Sequence, residues 1–164
     1  MERDRLRSLG AVPSLQPARL GGQAGWAGHR LGKDRVLGLQ PWRSLAEAAS
    51  QPLALGSGYP TGAADPRATF FTAVSRRAAA APTSSRFVPG QSLTANEALG
   101  GMTSGAAFAA TQDDRRGLLA RGYGGDLTVL DVDLTQLEWG DAARALTATV
   151  LMTVVNGEIL HDGR

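Results

Sequence analysis

The sequence predicts an α/β fold class, in which helices and short strands alternate up to about residue 111 and antiparallel β structure closes the chain. Two short apolar runs bounded by turn residues, 11–16 and 52–57, are typical of buried strands. Polar and apolar residues alternate with a period near two over 126–133. Two further apolar runs flank Asn156-Gly157, the strongest short signal for a β-hairpin.

The first elements follow from local residue patterns. Residues 2–9 alternate charge and leucine at helical spacing, and Gly10 occupies the position of a C-cap glycine, so a helix is predicted to open the chain. The strand over 11–16 comes next, followed by a glycine-rich connection through Gly28. A second helix is predicted over 41–49, with proline at its first position.

The middle of the chain predicts a strand, a helix and a loop. The strand over 52–57 ends at a glycine-rich turn. A helix is predicted over 67–81, because its apolar residues recur at helical spacing and the residue before Pro82 is disfavoured in a helix. Residues 82–92 are predicted to be loop.

Capping and turn signals mark the remaining elements. Thr94 precedes Glu97 by three positions, which predicts a capping box at the start of a helix. A strand is predicted over 126–133 and a hairpin over 149–155 and 158–160.

Composition excludes several function classes. All but Lys33 of the 17 basic residues are arginines, and acidic neighbours offset them locally, as at 113–116, so the net charge is only +2. This pattern is typical of solvated surface and not of the basic patch that nucleic acid requires. The absence of cysteine excludes zinc–thiolate sites and thiol catalysis. No signal-peptide core or span of ~20 apolar residues is present, so we expect a cytoplasmic protein with no nucleic-acid or membrane partner.

No set of residues has the spacing of a catalytic or metal centre. The histidines, His29 and His161, have no second histidine two or four positions away, and no serine lies in a G-x-S-x-G motif. Gly56-Ser-Gly58 lacks both the immediate helix and the acid about 20 residues on that a dinucleotide fingerprint needs. We therefore assign no catalytic, cofactor-binding or metal-ligating residue, and no cofactor, to this chain.

Two pairs of carboxylates lie close together in the sequence. They are Asp113 with Asp114, and Asp131 with Asp133, the latter on one face of a predicted strand. Neighbouring carboxylates can divide acid and base roles. Because both pairs lie beside turns with charged neighbours, we interpret them as solvated turn residues.

Several segments, taken in order, resemble the C-terminal part of the amidohydrolase-3 branch of the metal-dependent amidohydrolase superfamily, which includes N-substituted formamide deformylases. The strand end is similar to the family's "LGSD" and "DP" motifs, and 125–131 is similar to its "ADL-x-VLD" motif. Together the similar segments span nearly the whole chain in family order and spacing. They are Leu9–Pro17, His29–Arg35, Pro52–Pro60 with Asp65-Pro66, Phe71–Arg76, Leu93–Leu99, Thr103–Ala107, Gly117–Gly122, Gly125–Asp131 and Thr153–Gly157.

The resemblance implies a partial (β/α)₈ barrel, comprising the last strands and helices, in residues 1–111. It implies a small antiparallel β-sandwich segment in residues 112–164, in a sandwich built from both chain ends. A closed barrel needs roughly 250 residues, so this chain of 164 residues holds only part of one.

The resemblance also implies hydrolysis of carbon–nitrogen bonds other than peptide bonds, assisted by a divalent metal such as zinc, with an aspartate at the last barrel strand as ligand or general base. The family's H-x-H ligands and later histidines belong before Met1, and the aspartate position is Gly58 here. Ser57, Tyr59 and Arg76 are expected near the rim of the active site, without an assigned role.

Two functions stay open at this point. The first is an amidohydrolase-family hydrolase present as a C-terminal fragment that is inactive alone. The second is a non-catalytic association module, which pairs with itself or with a complementary barrel fragment through its open edge, because an exposed sheet edge is a template for pairing.

Overall fold

The structure is a computed structural model that describes residues 2–163; Met1 and Arg164, the outer bounds of the two predicted parts, lie outside them. The chain is α/β, as predicted, with a two-stranded parallel sheet and a three-stranded antiparallel sheet. The elements are α1 (Glu2–Ser8), β1 (Ser14–Leu15), α2 (Leu20–Arg35), α3 (Trp42–Ala48), β2 (Ala54–Leu55), α4 (Pro66–Ser75), α5 (Ala95–Met102), α6 (Ser104–Ala109), β3 (Leu127–Leu130), β4 (Val150–Val155) and β5 (Glu158–Asp162).

The two predicted buried strands pair with one another. Ser14 lies opposite Ala54 and Leu15 opposite Leu55 in a parallel register, so both strands end at the same edge of the sheet. Each strand is shorter than its apolar run, with two residues. Within residues 2–163 neither strand has a second neighbour, which leaves the outer edge of each strand unpaired.

The prediction of a glycine-rich connection through Gly28 is wrong, because these residues belong to α2, a helix of 16 residues with non-helical backbone angles at Gly32. Glycine normally weakens a helix, but Leu20 and Ala27 of α2 are buried. At Gly21 a Cβ atom would lie 3.0 Å from the Cβ of Ala78. Tertiary packing at short range therefore outweighs the low helical propensity.

The predicted helix over 67–81 ends early, since α4 stops at Ser75 and Arg76 takes the left-handed conformation with φ of 60°. Alanine favours helix in the residues that follow. The helix nevertheless ends because the buried Arg76 guanidinium is held elsewhere: it donates to the carbonyls of Phe87 and Gln40 at 2.8 and 2.9 Å and lies 4.0 Å from the centre of the Trp42 ring.

The capping box is confirmed at α5. The Thr94 hydroxyl accepts a hydrogen bond from the Glu97 backbone N–H, and the Glu97 carboxylate accepts one from the Thr94 N–H. The predicted loop 82–92 is also confirmed, apart from a single 3₁₀ turn near its end. Helices α4 and α5 contribute to one hydrophobic core, whose largest apolar members are Leu20, Trp42, Phe70, Phe71 and Val74.

The predicted hairpin is confirmed as β4 and β5, joined at Asn156-Gly157 with φ of 51° and 81°. Positive φ at both positions is the signature of a type I′ turn. The antiparallel sheet has the order β3-β4-β5, and no residue of its three strands is fully buried. Its apolar face is therefore uncovered among the described residues; this face carries Leu127, Val129, Met152, Val154 and Ile159.

None of the helices in residues 2–163 combines the length and the apolar character needed to cross a membrane.

Candidate functional site

The carboxyl ends of the two parallel strands form the candidate site. Gln16 follows β1 directly, and Gly58 lies three residues beyond β2. A Cβ atom on Gly58 would be 2.5 Å from the Gln16 Oε1 atom, so the carboxamide of Gln16 occupies the space of a side chain at position 58. Gly58 also has φ of +69°, a conformation that other residues rarely adopt.

Gln16 is held in place by Arg19, whose Nη1 donates to its Oε1 at 3.0 Å. A polar cleft of about 240 Å³ adjoins the pair and is also lined by Gln23 and Gln40. The Gln40 amide donates to Gln23 Oε1 at 2.7 Å. The cleft thus offers amide groups and one guanidinium, and no carboxylate.

The turn after β2 is exposed and carries no catalytic arrangement. The Ser57 hydroxyl accepts a hydrogen bond from the backbone N–H of Tyr59 at 3.2 Å. The Tyr59 side chain is 70% exposed. Both residues lie at the strand end, as expected, where Ser57 stabilises the turn.

The carboxylate next along the chain, Asp65, is a helix cap. It accepts from the backbone N–H of Arg67 at 2.9 Å and from the Arg67 guanidinium, and these hydrogen bonds lower the pKa of Asp65. Arg67 in turn donates to the Ala148 carbonyl at 2.7 Å. Asp65 therefore orients α4 and ties it to the segment before β4.

Arg76 does not lie at the rim. It is fully buried at the carboxyl end of α4, and a helix of ten residues places that end about 15 Å from its first residue, beside the strand end. Burial, followed by the charge of Arg86, lowers the pKa of Arg76 to about 10. The expectation of a rim position is therefore wrong, because Arg76 stabilises the far end of the core.

The histidines and carboxylate pairs are not brought together. His29 lies in α2 and His161 in β5, and both are exposed. Among residues 2–163, no three His, Cys, Asp or Glu side chains are close enough to share a metal ion.

The carboxylate pairs lie in turns. Asp113 and Asp114 are exposed. Asp131 and Asp133 lie beyond β3, which ends at Leu130, so their placement on one face of a strand is wrong. Asp131 accepts from the Thr149 N–H, which lowers its pKa, and Asp133 caps a 3₁₀ turn.

Two features have no signal in the sequence. One is the insertion of Gln16 into the space beside Gly58, which depends on two segments far apart in the chain. The other is the pair formed by both guanidinium Nη atoms of Arg43 and both carboxylate oxygens of Glu97, at 2.5 and 2.6 Å. The capping box predicted a local role for Glu97, and its partner on α3 becomes visible only in the fold.

The chain is similar to known proteins along nearly its whole length. It is 30% identical over 159 residues to the amidohydrolase homologue YtcJ from Bacillus subtilis (strain 168), covering 97% of this chain and 29% of that protein. It is 28% identical to the protein LONG AFTER FAR-RED 3 from Arabidopsis thaliana, covering 96% of this chain and 26% of that one. The chain thus spans less than a third of these relatives.

A solved structure has a similar arrangement. It is an uncharacterized metal-dependent hydrolase from Pyrococcus horikoshii OT3, with a TM-score of 0.70 and 25% sequence identity, over 85% of this chain and 28% of that one. The sequence model of the amidohydrolase family matches residues 2–161. Together, these findings show that the chain belongs to the amidohydrolase family, in its amidohydrolase-3 branch.

Proposed function

We propose that this chain is the C-terminal portion of an amidohydrolase that hydrolyses non-peptide carbon–nitrogen bonds, and that it does not hydrolyse a substrate alone. The observation that carries the proposal is the strand end at Gln16 and Gly58. In barrel enzymes the active site lies at the carboxyl ends of the parallel strands. The position that resembles the family's aspartate lies at this edge.

The residues present at this edge do not fit a divalent metal. Gly58 has no side-chain donor, the space beside it holds the neutral carboxamide of Gln16, and the adjoining cleft contains a cationic arginine. Divalent metals in hydrolases take imidazole and carboxylate ligands. We therefore assign the chain the scaffold of the strand end and no step of the reaction.

The preceding barrel strands and part of the sandwich would complete the molecule. Two features support this proposal: the unpaired outer edges of β1 and β2, and the uncovered apolar face of the antiparallel sheet. The same two features support the second candidate, a non-catalytic module that pairs with another chain. A complementation experiment separates the two.

The experiment combines this chain with the part of the YtcJ homologue that precedes the matched segment, produced as a separate polypeptide. We expect the halves to co-purify, with hydrolysis of N-acyl substrates low for Gly58 and raised when Gly58→Asp is combined with Gln16→Gly, which vacates the space. Each chain alone should be inactive. Assembly without activity in any variant favours the association module, and metal-dependent turnover by the lone chain contradicts the proposal.

A further inference from the structure

Two arginines flank a half-exposed indole at the far end of α4. Trp139 is 48% exposed, and the guanidinium carbon of Arg86 lies 4.4 Å from the centre of a Trp139 ring. The guanidinium carbon of Arg77 lies 5.8 Å from a Trp139 ring centre. Arginine stacked on tryptophan is favourable, but it places two like charges on one aromatic side chain.

These charges have no acidic partner within residues 2–163, where neither Arg77 nor Arg86 forms an ion pair. Arg86 donates to the Ser75 carbonyl at 3.0 Å and to the Ser92 hydroxyl at 2.7 Å. The Nε of Arg77 is buried without a hydrogen-bond partner. Burial, and then the charge of Arg77, lowers the pKa of Arg86. Clustered cations of this kind favour the approach of an anion.

A cleft of about 390 Å³ opens beside this pair, within the range of small-ligand sites. Its walls include Arg86 and Trp139, and its floor is formed by Val74, Leu93 and Leu137, which are almost fully buried. Hydroxyl and amide groups of the segment 92–96 line the remaining side. The cleft therefore combines a cation, an aromatic face and an apolar floor.

We propose that this cleft binds a small organic anion, a carboxylate joined to an apolar group. The carboxylate pairs with Arg86, and the apolar group lies on the floor and against Trp139. Glu138 also lines the cleft, and its negative charge opposes the anion. Because the cleft lies at the opposite end of α4 from the strand end, it is a second site that does not depend on hydrolysis.

The test is a titration of the whole chain with benzoate, followed through the indole N–H resonance of Trp139. Replacing Trp139→Phe identifies that resonance among the three tryptophans. We expect a saturable shift with benzoate, a weaker one with acetate, and the weakest with inorganic phosphate, which has no apolar group. Absence of a saturable shift, or phosphate binding as tightly as benzoate, overturns the proposal.

Four variants locate the site. Arg86→Gln should weaken benzoate binding by about tenfold or more, since a charge-assisted hydrogen bond is lost, and Arg77→Gln should weaken it less. Glu138→Gln should tighten binding, a result that a general loss of folding does not produce. Arg121→Gln, an exposed arginine outside the cleft, is the matched control. Equal binding by wild type, Arg86→Gln and Glu138→Gln contradicts the proposal.

Discussion

Gly58 allows the two strand ends to approach each other, because it has φ of +69° and no Cβ atom to meet Gln16. We predict that Gly58→Ala lowers the free energy of unfolding by about 1–3 kcal/mol through backbone strain and this contact. Adding Gln16→Ala should recover part of the loss, since it removes the contact and leaves the strain. Urea denaturation of the two single variants and the double variant measures both contributions.

The matched control for this cycle is Gly56→Ala. At Gly56 nothing lies within 4 Å of an added Cβ atom and φ is not in the left-handed region. The two glycines are separated by one residue, so a loss at Gly56→Ala as large as that at Gly58→Ala contradicts the account.

Glu97 links α5 to α3 and makes stability depend on pH. Burial on its own raises the pKa of Glu97, but hydrogen bonds from Arg43 and Thr94 outweigh it, so the pKa lies below the usual 4.5. A lowered folded-state pKa contributes stability above the unfolded value, and that stability is lost as the pH falls through the folded value.

We predict from this that the free energy of unfolding decreases more between pH 7 and pH 3 in wild type than in Glu97→Gln, whose amide does not titrate. Chemical denaturation at both pH values gives the difference. Glu158→Gln, an exposed glutamate in β5, should retain the wild-type decrease. A Glu97→Gln profile parallel to that of wild type would show that the Arg43 pair contributes no pH dependence.

At the scale of elements, α4 ends where Arg76 leaves the helix to donate to two carbonyls of distant segments. We predict that Arg76→Met lowers the free energy of unfolding by about 3 kcal/mol, because the Phe87 and Gln40 carbonyls become buried without donors. Arg76→Lys should lose less, since a single ammonium retains the charge and part of the hydrogen bonding. Thermal denaturation monitored by circular dichroism measures both variants. Arg121→Met should be nearly neutral, and equal losses at the two arginines would contradict this role for Arg76.

At the scale of the whole molecule, the antiparallel sheet has an apolar face that nothing in residues 2–163 fully buries. Sheets are stable when one face is packed on another layer. We therefore predict self-association of the chain, with Ile159, which is 57% exposed, at the interface. Sedimentation velocity over a range of concentrations should show a shift towards monomer for Ile159→Lys.

The control for the association is Thr128→Lys, because Thr128 lies opposite Thr153 on the other face of the sheet. This variant should associate as wild type does. A wild-type chain that stays monomeric at all concentrations and melts cooperatively would contradict the prediction.

Local chemistry determined the elements that the sequence predicted correctly. The Thr94–Glu97 capping box, the Asn156-Gly157 turn and the left-handed Gly10 each depend on residues close in the chain. Such interactions are complete within a few residues, so their sequence is enough to predict them. The parallel strands were also predicted in place, and with them the strand end as the candidate site.

Tertiary contacts decided the rest. The glycine-rich segment became α2 because its packing outweighs its low helical propensity, and the alanines after Ser75 are not helical because Arg76 is held by segments on either side of α4. The candidate site depends on the same kind of contact, since Gln16 and Gly58 meet only when two strands pair. Propensities differ by less than about 1 kcal/mol per residue, so packing and buried hydrogen bonds between distant segments override them.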